Sequence, residues 1–409
     1  MELLKRQIGL WGAVWLGLGS ILGTGVFVSI AVATQVAGKG VLVGILLASL
    51  IAICNGLNSA QLAASHPISG GTYEYGYRYL HPWCGFIAGW LFLLAKSASA
   101  ATAALGVSAY LARLGVNVDP RWLGLIAVAL MTGVVFLGVK RSGLINTVIV
   151  SMTLLALLCF IALGFGTTAP QSNIFNGELM STMEATALMF VAYAGYARIT
   201  TLGEEVVNPR RTIPWAVGLT IAITSLLYLG VGIVGIKGGI SQVLPSNAPL
   251  ADLLNLWGYS LASKLVIMGA ISALLGVLLN LILGLSRIVL AMARRGDLPG
   301  FLAQLNREQT TPPWAVVTVG TAIALLTLIG NVKTTWSFSA FHVLNYYAIT
   351  NLCAWQLNPR ERMFPRWLAG VGLLACAILA FFVDRQVWLT GLGLLSGLSL
   401  VYGLTRRIE

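Results

Sequence analysis

The sequence contains little charge. Of its 409 residues only 9% are Asp, Glu, Lys or Arg, whereas 57% are hydrophobic. A soluble chain carries roughly 25% charged residues, with which it covers its surface. The apolar residues also fall into runs of about 17–29, and such runs can cross roughly 30 Å of hydrocarbon at 1.5 Å per residue. These features exclude a soluble globular enzyme and predict an all-α polytopic membrane protein.

Cofactor motifs are also missing. The five cysteines form no CxxC pair, and the three histidines are far apart and not at metal-ligand spacing. Zinc, iron–sulfur and haem sites depend on such clusters, so we expect no metal and no cofactor. There is no HExxH motif and no pairing of a nucleophile with a base, which argues against an enzyme. A ring of like charges or a repeated filter segment, as in a channel, does not appear either.

What the sequence does contain is a series of apolar stretches between charged or Pro/Gly-rich breaks. We predict that twelve of them cross the membrane: 10–33, 40–64, 83–111, 122–139, 144–166, 182–202, 214–236, 264–292, 314–330, 336–357, 367–383 and 387–404. The stretch 238–263 is too polar to span and indicates an amphipathic connection. The first apolar run is too long for a signal-peptide core, so we expect no cleavage.

The basic residues predict the orientation. With the N-terminus inside, the inner loops and termini hold fifteen Lys and Arg residues and the outer loops hold seven. This positive-inside bias places both termini in the cytoplasm, with the protein in the plasma membrane. The net charge of +12 is therefore explained by topology. Because the basic residues are dispersed among short loops, nucleic acid is not expected as a partner.

The first apolar stretch contains "GSILGTGVF" at 19–27, with three glycines and two hydroxyl residues inside a span. Small residues at this spacing can simply allow close helix packing. The sharper interpretation is an unwound segment whose backbone N–H and C=O groups face a polar ligand at the middle of the bilayer. Irregular backbone is tolerated at that depth where protein or a water-filled cavity satisfies it, and glycine lowers its cost.

Four segments resemble one family. They are "GSILGTGVF", "HPISGGTYEYGYRYL" at 66–80, "AYAGYARITTLGEEVVNPRRTIPWA" at 192–216 and "SRIVLAMARRGDLP" at 286–299. Together they resemble the amino acid–polyamine–organocation (APC) permeases, in particular the bacterial relatives of the L-type amino acid transporters. The resemblance implies one transporter domain over 1–409, with a leucine-transporter-type 5+5 inverted repeat and two C-terminal helices. The corresponding ranges are 10–166, 182–357 and 367–404.

The resemblance also implies the substrate site, at unwound segments of the first and sixth spans. The residues carried over are Ile21, Gly23, Thr24 and Gly25 in the first span and Val191, Tyr193, Ala194 and Gly195 in the sixth. The amides of Thr24 and Gly25 suit the carboxylate of an amino acid, because they lie at the positive end of a half-helix. The carbonyls near Ile21, Val191 and Ala194 suit its ammonium group.

Lys96 is the most unusual residue within a span. A lysine at the bilayer centre costs about 2.5–3.5 kcal/mol on insertion scales. It is either a structural lysine bonded to carbonyls or a substrate-binding and proton-carrying group that faces the central cavity. Many relatives place a lysine in the fifth span, but alignment on Asn146 puts Thr153 at that position. Lys96 and Thr153 are thus the candidates for coupling, with H⁺ favoured over Na⁺.

We expect a secondary active transporter of neutral L-amino acids that works by alternating access. Recognition of a cationic side chain would favour a buried carboxylate, and the one acidic residue within a span before its inner end is Glu184, near the outer mouth. The alternatives are an exchanger or facilitator without ion coupling and a carrier of cationic amino acids or polyamines. The loop 113–121 contains no cysteine, so we predict no disulfide-linked heavy chain such as some eukaryotic relatives have.

Overall fold

The computed structural model describes residues 8–66, 70–116, 118–137, 143–167, 177–200, 206–306 and 311–405. These residues are mostly helical and form no β-strand; one isolated bridge joins Ile8 to Val206. The predicted all-α class is therefore confirmed.

The α-helices of the described residues are numbered here in chain order. They are α1 Leu10–Ile21, α2 Ile30–Ala37, α3 Val41–Ser65, α4 Thr72–Tyr79, α5 Pro82–Ala112, α6 Pro120–Phe136, α7 Gly143–Thr167, α8 Leu179–Tyr193, α9 Ala197–Thr200, α10 Pro209–Lys237, α11 Ile240–Val243, α12 Pro249–Leu256, α13 Ser260–Arg295, α14 Pro313–Ile329, α15 Val332–Trp355, α16 Arg366–Leu379 and α17 Arg385–Thr405. A π-helix covers Gly25–Ser29, and short 3₁₀ helices cover Gly38–Gly40, Ala194–Tyr196 and Gly300–Ala303.

Every predicted apolar stretch coincides with one of these helices or with an interrupted pair of them. By length and composition, six helical stretches of the described residues can cross a membrane, with Leu10–Ser65 counted as one. Three shorter apolar helices, α6, α14 and α16, accompany them. Several apolar helices are thus shown, while the count of twelve spans and the inverted repeat stay predictions.

The first and sixth predicted spans are both interrupted. In the first, α1 ends at Ile21, and the amides of Val26 and Phe27 both donate to the carbonyl of Gly23, which starts the π-helix. In the sixth, α8 ends at Tyr193 and a 3₁₀ helix follows. We call these two interruptions, residues 22–24 with the π-helix and Ala194–Tyr196, the two breaks. They fall where the sequence predicted unwinding.

The polar stretch 238–263 forms α11, α12 and the start of α13. In α12 the apolar residues Leu250, Leu253 and Leu254 are buried, which agrees with the predicted amphipathic connection. The hydroxyl of Ser263 donates to the carbonyl of Ala251 at 3.0 Å and ties α13 to α12. This contact extends α13 to Ser260, four residues before the predicted boundary at 264.

The centre of the fold is α5, which packs against α4, α6, α13 and α15. Its middle is rich in alanine, serine and glycine, and such small side chains let neighbouring helices approach closely. The start of α5 lies beside α4, and its end lies beside α12, where Arg113 pairs with Asp252. We call these two ends of the molecule the α4 side and the α12 side. Lys96 is midway between them.

Candidate functional site

A cavity of about 240 Å³ lies between the two breaks. It is smaller than the roughly 300–1,000 Å³ typical of pockets for drug-sized ligands, so it suits a small molecule. Eleven residues of the interrupted spans line it: Ser20, Ile21, Thr24, Gly25, Val191, Ala192, Ala194, Gly195, Ala197, Arg198 and Thr200. Most of the residues predicted for the substrate are thus brought together around one space.

The second break is in close contact with the end of α1, directly before the first break. A methyl group added at Gly195 would lie 2.6 Å from the carbonyl carbon of Ser20 and 2.8 Å from Cγ1 of Ile21. A methyl group at Gly25 would overlap the hydroxyl of Tyr228 and lie 3.0 Å from Cβ of Ala192. At Gly195 a side chain would push α1 and the sixth span apart, because the nearest atoms are backbone, whereas at Gly25 it would displace the Tyr228 hydroxyl.

Tyr228 of α10 bridges the two interrupted spans. Its hydroxyl lies 3.2 Å from the carbonyl oxygen of Ile21 and 3.3 Å from that of Ala192. Both carbonyls lie next to a break, where the regular helical acceptor pattern ends. The hydroxyl therefore supplies a shared donor to the two interrupted spans.

Lys96 reaches the second break from the middle of α5. Its Nζ donates to the carbonyl oxygen of Ala194 at 3.4 Å, and the hydroxyl of Tyr347 donates to the same oxygen at 3.4 Å. The lysine is only 8% exposed, and it lines the cavity. The two lone pairs of the Ala194 carbonyl are thus both engaged.

The charged side chains around the cavity are cationic. Lys96, Arg198 and Arg287 line it, and among the described lining residues there is no Asp or Glu. Glu204 and Glu205, which follow the sixth span in the sequence, lie outside the described residues. The described lining therefore favours a ligand that carries a carboxylate over a ligand that carries only positive charge.

Three of the residues predicted for substrate binding or coupling do not line the cavity. Gly23 faces α13, where a methyl group would lie 2.6 Å from Cγ2 of Val277. Tyr193 packs its ring 5.2 Å from that of Tyr228. Thr153 donates to the carbonyl of Ile149 within α7 at 2.8 Å. None of the three side-chain positions lines the cavity.

Several lining residues were not predicted. They include Tyr75 of α4, Phe92 and Ser99 of α5, Trp336, Tyr346 and Tyr347 of α15. Aromatic residues inside apolar helices look like ordinary core residues in a sequence, so they gave no local signal. The spacing of Ser99 three residues after Lys96 was a usable signal, because such residues share one helix face.

The α12 side is closed by polar contacts. Arg113 at the end of α5 forms two hydrogen bonds with the Asp252 carboxylate of α12, at 2.6 and 2.8 Å. This hydrogen bonding raises the pKa of the Arg113 guanidinium. Deeper in, Tyr110 donates to the carbonyl of Phe27 at 3.1 Å, and the indole N–H of Trp336 donates to that of Leu188 at 3.0 Å.

The cavity extends instead toward the α4 side, where Gly70, Gly71 and Thr72 line it. On that side the hydroxyls of Tyr73 and Tyr77 both donate to Oδ2 of Asp297, at 2.7 and 2.6 Å. Burial, followed by the hydrogen bond to Asp297, raises the pKa of both phenols. These contacts fix α4 against the end of α13 beside the opening.

In the part of the chain that the structure describes, no three His, Cys, Asp or Glu side chains lie close enough together to bind a metal ion. The chemistry available at the cavity is therefore that of backbone dipoles, hydroxyls and cations. Such a set binds and orients a small ligand.

Known proteins resemble the chain over almost its whole length. A family model described as "Amino acid permease" matches residues 12–382. An uncharacterized transporter of Mycobacterium tuberculosis is 37% identical over 414 residues, covering 99% of this chain and 92% of that protein. The branched-chain amino acid permease BcaP of Bacillus subtilis is 25% identical over 417 residues, covering 95% and 89%. The mitochondrial cationic amino acid transporter 3 of Arabidopsis thaliana is 28% identical over 347 residues, covering 78% and 56%.

Proposed function

The chain belongs to the amino acid permease family of membrane transporters, and on that premise we propose that it carries neutral L-amino acids by alternating access. The observation that carries the proposal is the cavity between the two breaks, which combines main-chain groups with a cationic lining that includes no described carboxylate. Binding at interrupted helices near the midplane is a general solution for transporters, since free backbone groups there can replace water around a polar ligand.

In the proposed binding mode the substrate carboxylate approaches the amides of Thr24 and Gly25. These residues lie where the π-helix begins, so the helix dipole and the N–H groups both favour an anion. The positive charge of Lys96 on the same cavity wall adds to this preference. An anionic group is thus the first requirement of the ligand.

The substrate ammonium group needs acceptors, which the carbonyls of Ile21, Val191 and Ala194 would supply. The Ile21 carbonyl accepts from Tyr228 and retains a second lone pair. At Ala194 both lone pairs are engaged, so an ammonium group binding there would replace Lys96 or Tyr347. We expect Ile21 and Val191 to take the larger share of this contact.

The side chain of the substrate is proposed to be uncharged. A cationic side chain would add a further positive charge beside Lys96, Arg198 and Arg287 and would need a counter-charge, which the described cavity wall does not offer. The relatives include both a branched-chain amino acid permease and cationic amino acid transporters, so their names leave both substrate classes open. The wall chemistry favours the neutral class.

Alternating access is supported by the asymmetry between the two ends. Polar contacts close the α12 side, whereas the cavity extends toward the α4 side. If the positive-inside prediction holds, the α4 side is cytoplasmic and this form faces inward. We further propose that a proton on Lys96 accompanies transport, with uncoupled exchange as the alternative.

The test is counterflow of labelled leucine in proteoliposomes that hold the purified protein, with protein-free liposomes as the control. We expect labelled leucine to accumulate against unlabelled internal leucine, and alanine and serine to compete. Arginine and putrescine are expected not to compete. Competition by arginine or putrescine together with none by alanine, serine or leucine would reject the neutral class. Flux without counterflow would indicate a channel.

A further inference from the structure

Two pairs of hydroxyl side chains join α5 to α15 beside Lys96. Ser99 and Ser339 lie 2.8 Å apart, oxygen to oxygen, and Thr102 and Thr335 lie 2.7 Å apart. All four side chains are buried. We call these four residues the hydroxyl seam. It is formed by residues 240 and 233 positions apart in sequence, so it is a product of the tertiary fold.

The hydroxyl seam runs from the cavity toward the α12 side. Lys96, Ser99 and Thr102 follow one another at intervals of three along α5, so they share a face, and Ser99 itself lines the cavity with Lys96. Six residues separate Lys96 from Thr102, which corresponds to about 9 Å along the helix. Beyond them the Thr335 hydroxyl lies 2.8 Å from the carbonyl of Asn331, an exposed residue at the start of α15.

The threonine pair has two consistent arrangements of its protons. Thr102 can donate to Thr335, which then donates to the Asn331 carbonyl. In the reverse arrangement Thr335 donates to Thr102, which donates to the Ala98 carbonyl at 3.0 Å. Switching between the two arrangements reverses the direction in which the two hydroxyls donate without moving a heavy atom, which is the reorientation that a proton relay needs between transfers. Lys96, the serine pair and the threonine pair follow one another at three-residue intervals, a rise of about 4.5 Å each, and one bridging water at each interval would complete the relay.

We propose that the hydroxyl seam carries protons between the α12 side and Lys96, along a route separate from the one taken by the substrate. The inference rests on the proposed function, since it gives the proton on Lys96 an entry path. A proton from water near Asn331 joins a seam hydroxyl, which releases its own proton inward. The last transfer converts the Lys96 amine into an ammonium group, and the ammonium later returns the proton to the cavity.

Other ionisable groups surround Lys96 and must be separated from it in a pH experiment. They are Tyr75 of α4, Arg198 of α9, Arg287 of α13, and Tyr346 and Tyr347 of α15, whereas the second break contacts it through the Ala194 carbonyl. His342 of α15 also belongs to this set, because it follows Ser339 by three residues; its Nδ1 lies 2.7 Å from the carbonyl oxygen of Phe338. None of these groups belongs to the hydroxyl seam.

The competing explanation is that the pairs only hold α5 and α15 together, as Ser and Thr do in many membrane proteins. The experiment therefore separates proton movement from substrate movement. Counterflow of labelled leucine at equal pH needs alternating access only, because a proton can stay on Lys96 throughout. Leucine accumulation driven by a pH gradient needs net proton transfer, which a dye inside the vesicles reports directly.

The test variants replace seam hydroxyls without changing shape. The combined change Thr102→Val with Thr335→Val is expected to keep counterflow at the wild-type rate. It should lower pH-driven accumulation and leucine-dependent proton entry by roughly 100-fold, which is the lower end of the range by which a positioned proton-transfer group raises a rate. The milder single change Ser339→Ala, at a residue that does not line the cavity, should act in the same direction and serves where the valine variant folds poorly.

Two controls accompany these variants. Thr327→Val removes a buried hydroxyl that bonds only within α14, and Ser108→Ala removes one that bonds within α5, so both should behave as wild type. Conversion of Thr102 and Thr335 to serine keeps both hydroxyls and should restore proton entry. A structural role of the threonine methyl groups would not give this rescue.

Three results would overturn the inference. In the first, the valine variant accumulates leucine as wild type does. In the second, it loses counterflow in parallel with accumulation, which would make the seam a packing contact. In the third, wild-type protein shows counterflow but no leucine-dependent proton entry, which leaves amino acid transport standing and favours uncoupled exchange. Wild-type protein without any leucine counterflow would instead contradict the proposed function, and this inference with it.

Discussion

The substitution Gly195→Ala tests whether the second break must stay in contact with the end of α1, directly before the first break. The new methyl group would lie 2.6 Å from the carbonyl carbon of Ser20, whereas carbon atoms normally approach to about 3.5–4.0 Å. Because the neighbour is backbone, rotation of a side chain cannot relieve the overlap. The interrupted spans must separate by about 1 Å, and such overpacking costs about 1–3 kcal/mol.

This cost should appear in substrate binding. If it is borne by the arrangement that encloses the substrate, affinity falls between about 5-fold and about 150-fold, since 1.4 kcal/mol corresponds to a factor of ten. The protein should still fold, because native proteins are stable by about 5–15 kcal/mol. The assay is the concentration of leucine that half-saturates counterflow, measured beside the thermal transition of the purified protein.

Gly218→Ala is the matched control. It lies in the interior of α10, and a methyl group added there meets no atom within 4 Å. Alanine is also the better helix former, by about 1 kcal/mol. We expect this variant to bind and transport as wild type does. Equal leucine affinity in the Gly195→Ala variant and the wild type would refute the reasoning about the contact between the second break and the end of α1.

Four further expectations concern other parts of the molecule. Lys96→Ala should lower uptake severely and flatten its pH dependence while the protein stays folded; an unchanged pH profile of uptake would make the lysine structural. Tyr228→Phe removes the shared donor, and loss of a buried hydrogen-bond partner costs about 1–3 kcal/mol, so the melting temperature and uptake should both fall. A double-mutant cycle of Arg113→Ala and Asp252→Ala in thermal stability should give a coupling of about 0.2–1 kcal/mol that shrinks with added salt, as for exposed ion pairs; a coupling insensitive to salt would contradict this. On a non-reducing gel of native membranes the chain should run alone, and a disulfide-linked heterodimer would disprove that expectation.

The helices and their breaks were largely predictable from local sequence. Apolar runs of fixed length have few alternatives in a membrane, and α5 differs from its predicted range by one residue at each end. The first break was visible because glycines and hydroxyl residues replace leucine and valine within one short segment. At the second break only Ala194 and Gly195 depart from the apolar pattern, so the prediction of its position depended on the family resemblance.

The cavity wall could be predicted only in part, because much of it comes from distant residues. Tyr228 contacts Ile21 across 207 positions, and Tyr347 contacts Ala194 across 153. A tyrosine within an apolar helix has the same local pattern whether it faces core or cavity, and only the packing of neighbouring helices decides. The same limit applies to α4, whose tyrosines find their partner Asp297 more than 200 residues away.

The hydroxyl of Tyr228 has one proton and two carbonyls within reach, at nearly equal distances. If the proposed alternating access shifts one interrupted span relative to the other, the Tyr228 hydroxyl can change its acceptor from the Ile21 carbonyl to that of Ala192 without losing a hydrogen bond. A buried donor without an acceptor would add a barrier of its own to such sliding. In such a movement Tyr228 would stay hydrogen-bonded throughout. The free-energy barrier to a shift between the two interrupted spans would therefore be lower than with a donor that has a single acceptor.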